Sequence, residues 1–231
     1  MNIKELLKDV GKNHNSLLVA LFYRRLSIPV ANVLYKYTPL TPNQVTILSG
    51  VAGFFAMPLV YFVPTYQNFI IAAILFQAEV VLDCVDGNLA RLKNMKSKFG
   101  SWLDTNIGIL TQIFAYFTLA FAAVSYVSIE LSFIMVAIAL ASRLTLNVSA
   151  AEAEFLFSTR DTVKIDVRNK IAKKLGVNPV DVTFSDDLKF LIASMGLLFN
   201  KPFEALVFLT GLQLILLLVF WAATFKSHGK Q

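Results

Sequence analysis

Asp83-Cys84-Val85-Asp86-Gly87-Asn88-Leu89-Ala90-Arg91, then eight residues, then Gly100-Ser101-Trp102-Leu103-Asp104, is the stretch on which the fold turns. Its carboxylates flank segments that are otherwise apolar over membrane-crossing lengths. A charge at that depth is costly, which makes it a functional candidate. On a helix, Asp83, Asp86, Gly87 and Ala90 fall at i, i+3, i+4 and i+7 and share one face. Two carboxylates on that face offer oxygen-only ligation to a hard divalent cation such as Mg²⁺, Mn²⁺ or Ca²⁺. Gly87 and Ala90 keep the face free of bulk, so a large ligand can approach the backbone. Arg91 supplies a planar fork suited to phosphate. The connection to Gly100 is short, so the next helix is expected as an antiparallel neighbour, beginning at Gly100, with Asp104 one turn in and facing Asp83 and Asp86. Three acids, two small residues and an arginine describe a metal–diphosphate site. The plainer alternative is acids at helix ends snorkelling toward Lys93, Lys96 and Lys98, and the register of the small residues disfavours it.

Composition fixes the solvent. The chain is 56% hydrophobic and 16% charged, with a mean hydropathy of +0.63. A soluble domain carries about 25% charged residues. The surplus apolar surface must therefore face lipid. Six apolar segments can be drawn, over residues 45–63, 69–82, 102–127, 131–148, 188–199 and 203–225. A span needs about 20 residues, so the second and fifth must take in polar residues at their ends. The largely polar start of the chain shows no cleavable signal peptide. With Cys84 as its one cysteine the chain has no intrachain disulfide.

The net charge of +6 invites a nucleic-acid reading, but its distribution reads as topology instead. Lys4, Lys8, Lys12, Arg24, Arg25 and Lys36 precede the first segment, and Arg91, Lys93, Lys96 and Lys98 follow the second. Arg160, Lys164, Arg168, Lys170, Lys173 and Lys174 follow the fourth, and Lys226 and Lys230 end the chain, whereas the opposite loops hold Lys201. The positive-inside rule then puts both termini and the Asp motif on the cytoplasmic side. Residues 16–37 read as an amphipathic helix in the interface, bent at Pro29. Thr41-Pro42-Asn43-Gln44 reads as an N-cap, a proline at the first helical position and a capping box opening the first span. Gly50 and Gly53 in that span permit close packing, and residues 162–175 read as a surface helix closed by Gly176. The tryptophans and tyrosines read mostly as interfacial anchors.

The pattern D-x-x-D-G-x-x-A-R, eight residues, G-x-x-x-D resembles the signature of the CDP-alcohol phosphotransferases, and Pro39–Thr46 resembles the segment that opens that family's first span. The resemblance implies an integral membrane enzyme. It would displace CMP from a CDP-alcohol, such as CDP-diacylglycerol, by an acceptor hydroxyl, in phospholipid or polyol-phosphate synthesis. By carry-over, Asp83, Asp86 and Asp104 would be metal ligands for Mg²⁺ or Mn²⁺, two ions in the family. Gly87, Ala90 and Arg91 would hold the cytidine diphosphate, Gly100 would allow close approach, and Asn43 and Thr46 would line the nucleotide site. The family pattern also implies a homodimer. It continues x-x-x-D, where this chain has Gly108, so the second ion is short of a ligand and the acceptor hydroxyl short of a base. Glu79, four residues before Asp83, extends the same face to the depth of position 108 and is the candidate substitute base; a pairing with Arg143 is the competing role. Glu152 and Glu154, after the fourth segment, disfavour an acceptor that carries phosphate.

The expectation is an all-α integral membrane protein: six transmembrane helices preceded by an interfacial amphipathic helix, with residues 1–43 forming the interfacial segment and 44–231 the catalytic domain. Its partners would be a CDP-alcohol or CDP-lipid donor, a hydroxyl acceptor and the bilayer, with no nucleic acid. A relative that binds CDP-lipid without turnover is the alternative. A cation transporter is disfavoured because the polar residues gather near one side rather than along a pore.

Overall fold

The computed structural model describes residues 22–157 and 186–228, and every regular element among them is a helix. They are α1 (Arg24–Tyr37), α2 (Pro42–Phe62), α3 (Tyr66–Leu92), α4 (Lys98–Ala123), α5 (Ile129–Phe157), α6 (Asp186–Leu198) and α7 (Pro202–His228). Residues 1–21 and the surface helix expected at 162–175 lie outside the described residues.

Local chemistry sets the boundaries. Thr41 caps α2 by accepting from the Gln44 amide, Gln44 Oε1 accepts from the Thr41 amide at 2.8 Å, and Pro42 opens the first turn. Thr65 caps α3 by accepting from the Asn68 amide. α3 runs 27 residues, about 40 Å at 1.5 Å per residue. That exceeds a hydrocarbon core of about 30 Å, and Asp83–Arg91 lie in the last turns of the helix. The turn after α3 uses Asn94 at φ 54°, and Ser97 caps α4 by accepting from the Gly100 amide at 2.9 Å. The helix therefore starts at Lys98, two residues before the glycine expected to open it.

Among the described residues, five helices are long and apolar enough to cross a membrane: α2, α3, α4, Ile129–Ala153 of α5 and Pro202–Lys226 of α7. The fifth sequence segment corresponds to α6, described over 13 residues, about 20 Å. It is too short to count as a span among the described residues. It lies antiparallel to α3, with Gln77 Nε2 donating to Ser194 Oγ at 2.8 Å and Tyr66 hydroxyl donating to the Leu198 carbonyl at 2.7 Å.

One expectation about packing is corrected. α3 and α4 are not close neighbours along their lengths; α2 packs extensively on both and holds them together. Gly50 and Gly53 make that possible. A Cβ at Gly50 would lie 2.8 Å from Ile107 Cγ2, and one at Gly53 would lie 2.8 Å from Thr111 Cγ2. The gap left between α3 and α4 is where the Asp motif opens. Below it, Phe76, Tyr116, Leu119, Leu197 and Leu206 fill the core where α3, α4, α6 and α7 meet. Tyr23 and Tyr116 are buried rather than interfacial, since aromatic volume wins where helices converge. α1 continues on both sides of Pro29 and docks on α3.

Candidate active site

Asp83 and Asp86 come from the last turns of α3 and Asp104 from α4. One carboxylate oxygen from each lies within 4.8 Å of the other two. The three acids thus converge as their spacing predicts. Asp86 is buried, and Thr46 Oγ1, from the second turn of α2, donates to its Oδ2. The third helix of the wedge thereby orients a carboxylate presented by its neighbour. The donor set is all hard oxygen, held by three rigid helices, which fits a divalent cation of the magnesium type.

A cavity of about 230 Å³ opens beside the acids. Its wall includes Asp86 and Asp104 and all six residues expected to meet a nucleotide: Asn43, Thr46, Gly87, Ala90, Arg91 and Gly100. At Gly87 a Cβ would meet nothing within 4 Å, so the backbone stands bare to the cavity. At Gly100 a Cβ would lie 3.0 Å from Asn43 Oδ1, so the glycine lets the starts of α2 and α4 approach. Arg91 Nη1 donates to Asn88 Oδ1 at 3.1 Å. Lys96 and Ser101 also line the cavity, and the sequence reading gave them no role there. The signal was present for Lys96, a cation in the short connection between two acid-bearing helices.

Glu79 is 2% exposed and lies outside both the three-acid group and the cavity wall. Thr111 Oγ1 donates to Glu79 Oε1 at 2.9 Å and also lies 3.1 Å from the Gly108 carbonyl oxygen. Glu79 thus meets α4 at Thr111, three residues beyond position 108. A Cβ at Gly108 would meet nothing within 4 Å.

Residues 39–224 match the sequence model of the CDP-alcohol phosphatidyltransferases. The chain belongs to this family. Among curated relatives of this CDP-alcohol phosphatidyltransferase family member, a bifunctional IPC transferase and DIPP synthase of Aquifex aeolicus is 33% identical over 45% of this chain and 22% of its own length. A protein of the same organism without an assigned function is 30% identical over 58% of this chain and 66% of its own. An archaetidylinositol phosphate synthase of Pyrococcus horikoshii is 38% identical over 35% of this chain and 41% of its own. The chain thus spans less than two thirds of the length of these relatives.

Proposed function

We propose that this chain transfers a phospho-alcohol group from a CDP-alcohol, such as CDP-diacylglycerol, to an acceptor hydroxyl and releases CMP. The observation that carries this reading is the cavity beside the three converging carboxylates, two of which line it together with an arginine fork and bare glycine backbone. In the transfer, the acceptor oxygen bonds to the donor's alcohol-bearing phosphorus, the bond from that phosphorus to the CMP oxygen breaks, and the hydroxyl proton passes to a base. Such transfers depend on positioning and charge neutralisation more than on covalent help from the protein.

Asp83, Asp86 and Asp104 would hold Mg²⁺ or Mn²⁺, which when bound would neutralise the diphosphate charge. Arg91 would pair with the diphosphate, Gly87 and Ala90 would admit it to the α3 backbone, and Asn43 and Thr46 would line the nucleotide end. Glu79 is the candidate proton acceptor. The acceptor would have to reach it along the flank of α4 that Gly108 leaves clear. Glu79→Gln tests this role, and unchanged CMP release removes it.

The same reading takes the apolar segment 188–199 as a sixth span, α1 as an interfacial helix, the chain as a homodimer, and the motif and both termini as cytoplasmic. The lysines and arginines on the motif side support that orientation. The name of the Pyrococcus relative supports inositol phosphate among the acceptors, against the local acids Glu152 and Glu154.

The deciding experiment incubates purified protein with Mg²⁺ or Mn²⁺ and a panel of CDP-alcohols, with phosphorylated and unphosphorylated polyols as acceptors. CMP is expected from at least one pair. CDP binding with no CMP across the panel would instead identify a binding protein without turnover.

A further inference from the structure

Among the described residues, three polar ties join α1 and the residues flanking it to α3 and its C-cap. Tyr23 hydroxyl donates to Gln77 Oε1 at 2.6 Å, Asn88 Nδ2 donates to Ser27 Oγ at 2.9 Å, and Lys93 Nζ donates to the Leu40 carbonyl at 2.7 Å and the Thr38 carbonyl at 3.3 Å. The middle tie differs from the others. Asn88 is 1% exposed and Ser27 0%, and the other end of the Asn88 amide reaches the cavity by accepting from Arg91 Nη1.

We propose that Asn88 is a positioning residue for donor binding, aimed by Ser27 of α1 and in turn holding the Arg91 guanidinium at the cavity wall. The inference rests on the reading that Arg91 meets the donor's diphosphate. The chemistry of the amide gives it direction. Its NH₂ group can only donate and its oxygen only accept. Spending the donor on Ser27 turns the oxygen toward Arg91, and the opposite orientation would put NH₂ against a guanidinium that has no acceptor. Water is excluded from the Ser27–Asn88 pair, so the arrangement meets little competition. An arginine side chain has many rotamers, and ordering it on binding is costly. A partner that holds it in place beforehand removes part of that cost from donor affinity. The interfacial helix, remote from the cavity, thereby contributes to nucleotide binding without touching the nucleotide.

The test measures CDP binding in Mg²⁺ by calorimetry on the detergent-solubilised full chain, for wild type, Arg91→Ala, Asn88→Ala and the double variant. Arg91→Ala is expected to weaken CDP most. Asn88→Ala is expected to weaken it about tenfold and to add almost nothing on top of Arg91→Ala. If Asn88→Ala leaves affinity unchanged, or its effect adds in full to that of Arg91→Ala, the positioning role is overturned while the assignment of Arg91 stands. If Arg91→Ala itself leaves CDP affinity unchanged, the underlying reading fails and the inference with it. Should Asn88→Ala not fold, Ser27→Ala is read in the same cycle, with a smaller loss that again must vanish in the Arg91→Ala background.

Discussion

Thr111 Oγ1 lies 2.9 Å from Glu79 Oε1, so a hydroxyl on α4 donates to a carboxylate on α3 with both side chains buried. Hydrogen bonds to charged groups contribute roughly 1.5–3 kcal/mol. Thr111→Val keeps the shape and removes the donor. It is expected to destabilise the chain by about 2 kcal/mol, seen as a lower Tm in detergent. A Tm equal to wild type would show that the bond contributes nothing.

The same threonine sits against Gly53. A Cβ there would lie 2.8 Å from Thr111 Cγ2, 3.0 Å from Thr111 Cβ and 3.3 Å from Glu79 Cγ. These are packed, β-branched or buried atoms with little room to give. Gly53→Ala is expected to cost about 1–3 kcal/mol through overpacking. Gly211, in α7, provides the contrast, because a Cβ there meets nothing within 4 Å. Gly211→Ala removes a flexible helix position and is expected to be neutral or to stabilise by up to about 1 kcal/mol. Thermal unfolding of the two variants side by side checks the pair, and equal effects would refute the wedge description of α2.

The contrast also marks what the sequence could carry. Asp83, Asp86 and Asp104 were legible because helical periodicity alone puts the first two on one face and a short connection returns the third. The start of α2 was legible because Thr41, Pro42 and Gln44 are a local signal. The wedge of α2 between α3 and α4 was not, because it depends on which surfaces fit together across 40 residues or more. The Thr46–Asp86 and Ser27–Asn88 bonds were hidden for the same reason. Which tyrosines are exceptions to the mostly interfacial reading was hidden as well: Tyr23 and Tyr116 are buried where helices converge. Among the described residues five helices are long enough to cross a membrane while the fifth apolar segment corresponds to the 13-residue α6, and no periodicity argument fixes the depth of a short apolar helix.

Crowding three carboxylate oxygens within 4.8 Å stores repulsion that a cation relieves. Mn²⁺ is therefore expected to raise the Tm of the wild-type chain, by an amount that follows occupancy: about 2.7 kcal/mol at one hundred times Kd. Asp104→Asn removes one charge and one strong ligand. In chelator the variant should be at least as stable as wild type, and the Mn²⁺-induced rise should largely disappear. A wild-type Tm that ignores Mn²⁺ would argue against a metal site here.

Gly108 is the residue at which the chain leaves the motif it otherwise resembles, and its surroundings make the missing acid easy to restore. Position 108 follows Asp104 by one turn and shares its face of α4. A Cβ there meets nothing within 4 Å. Helix propensity gives aspartate no penalty relative to glycine, so Gly108→Asp should fold and change stability by less than about 1 kcal/mol. The added carboxylate should tighten Mn²⁺ binding, read by electron paramagnetic resonance of free against bound ion in a titration of both proteins. CMP release, measured in parallel, separates two roles for the native glycine. A rise in turnover together with tighter Mn²⁺ means that wild type runs short of a ligand. Tighter Mn²⁺ with unchanged turnover means that the native site already completes the reaction with the acids it has, and directs attention back to Glu79. Weaker Mn²⁺ binding would sink the idea that position 108 faces the same ion as Asp104.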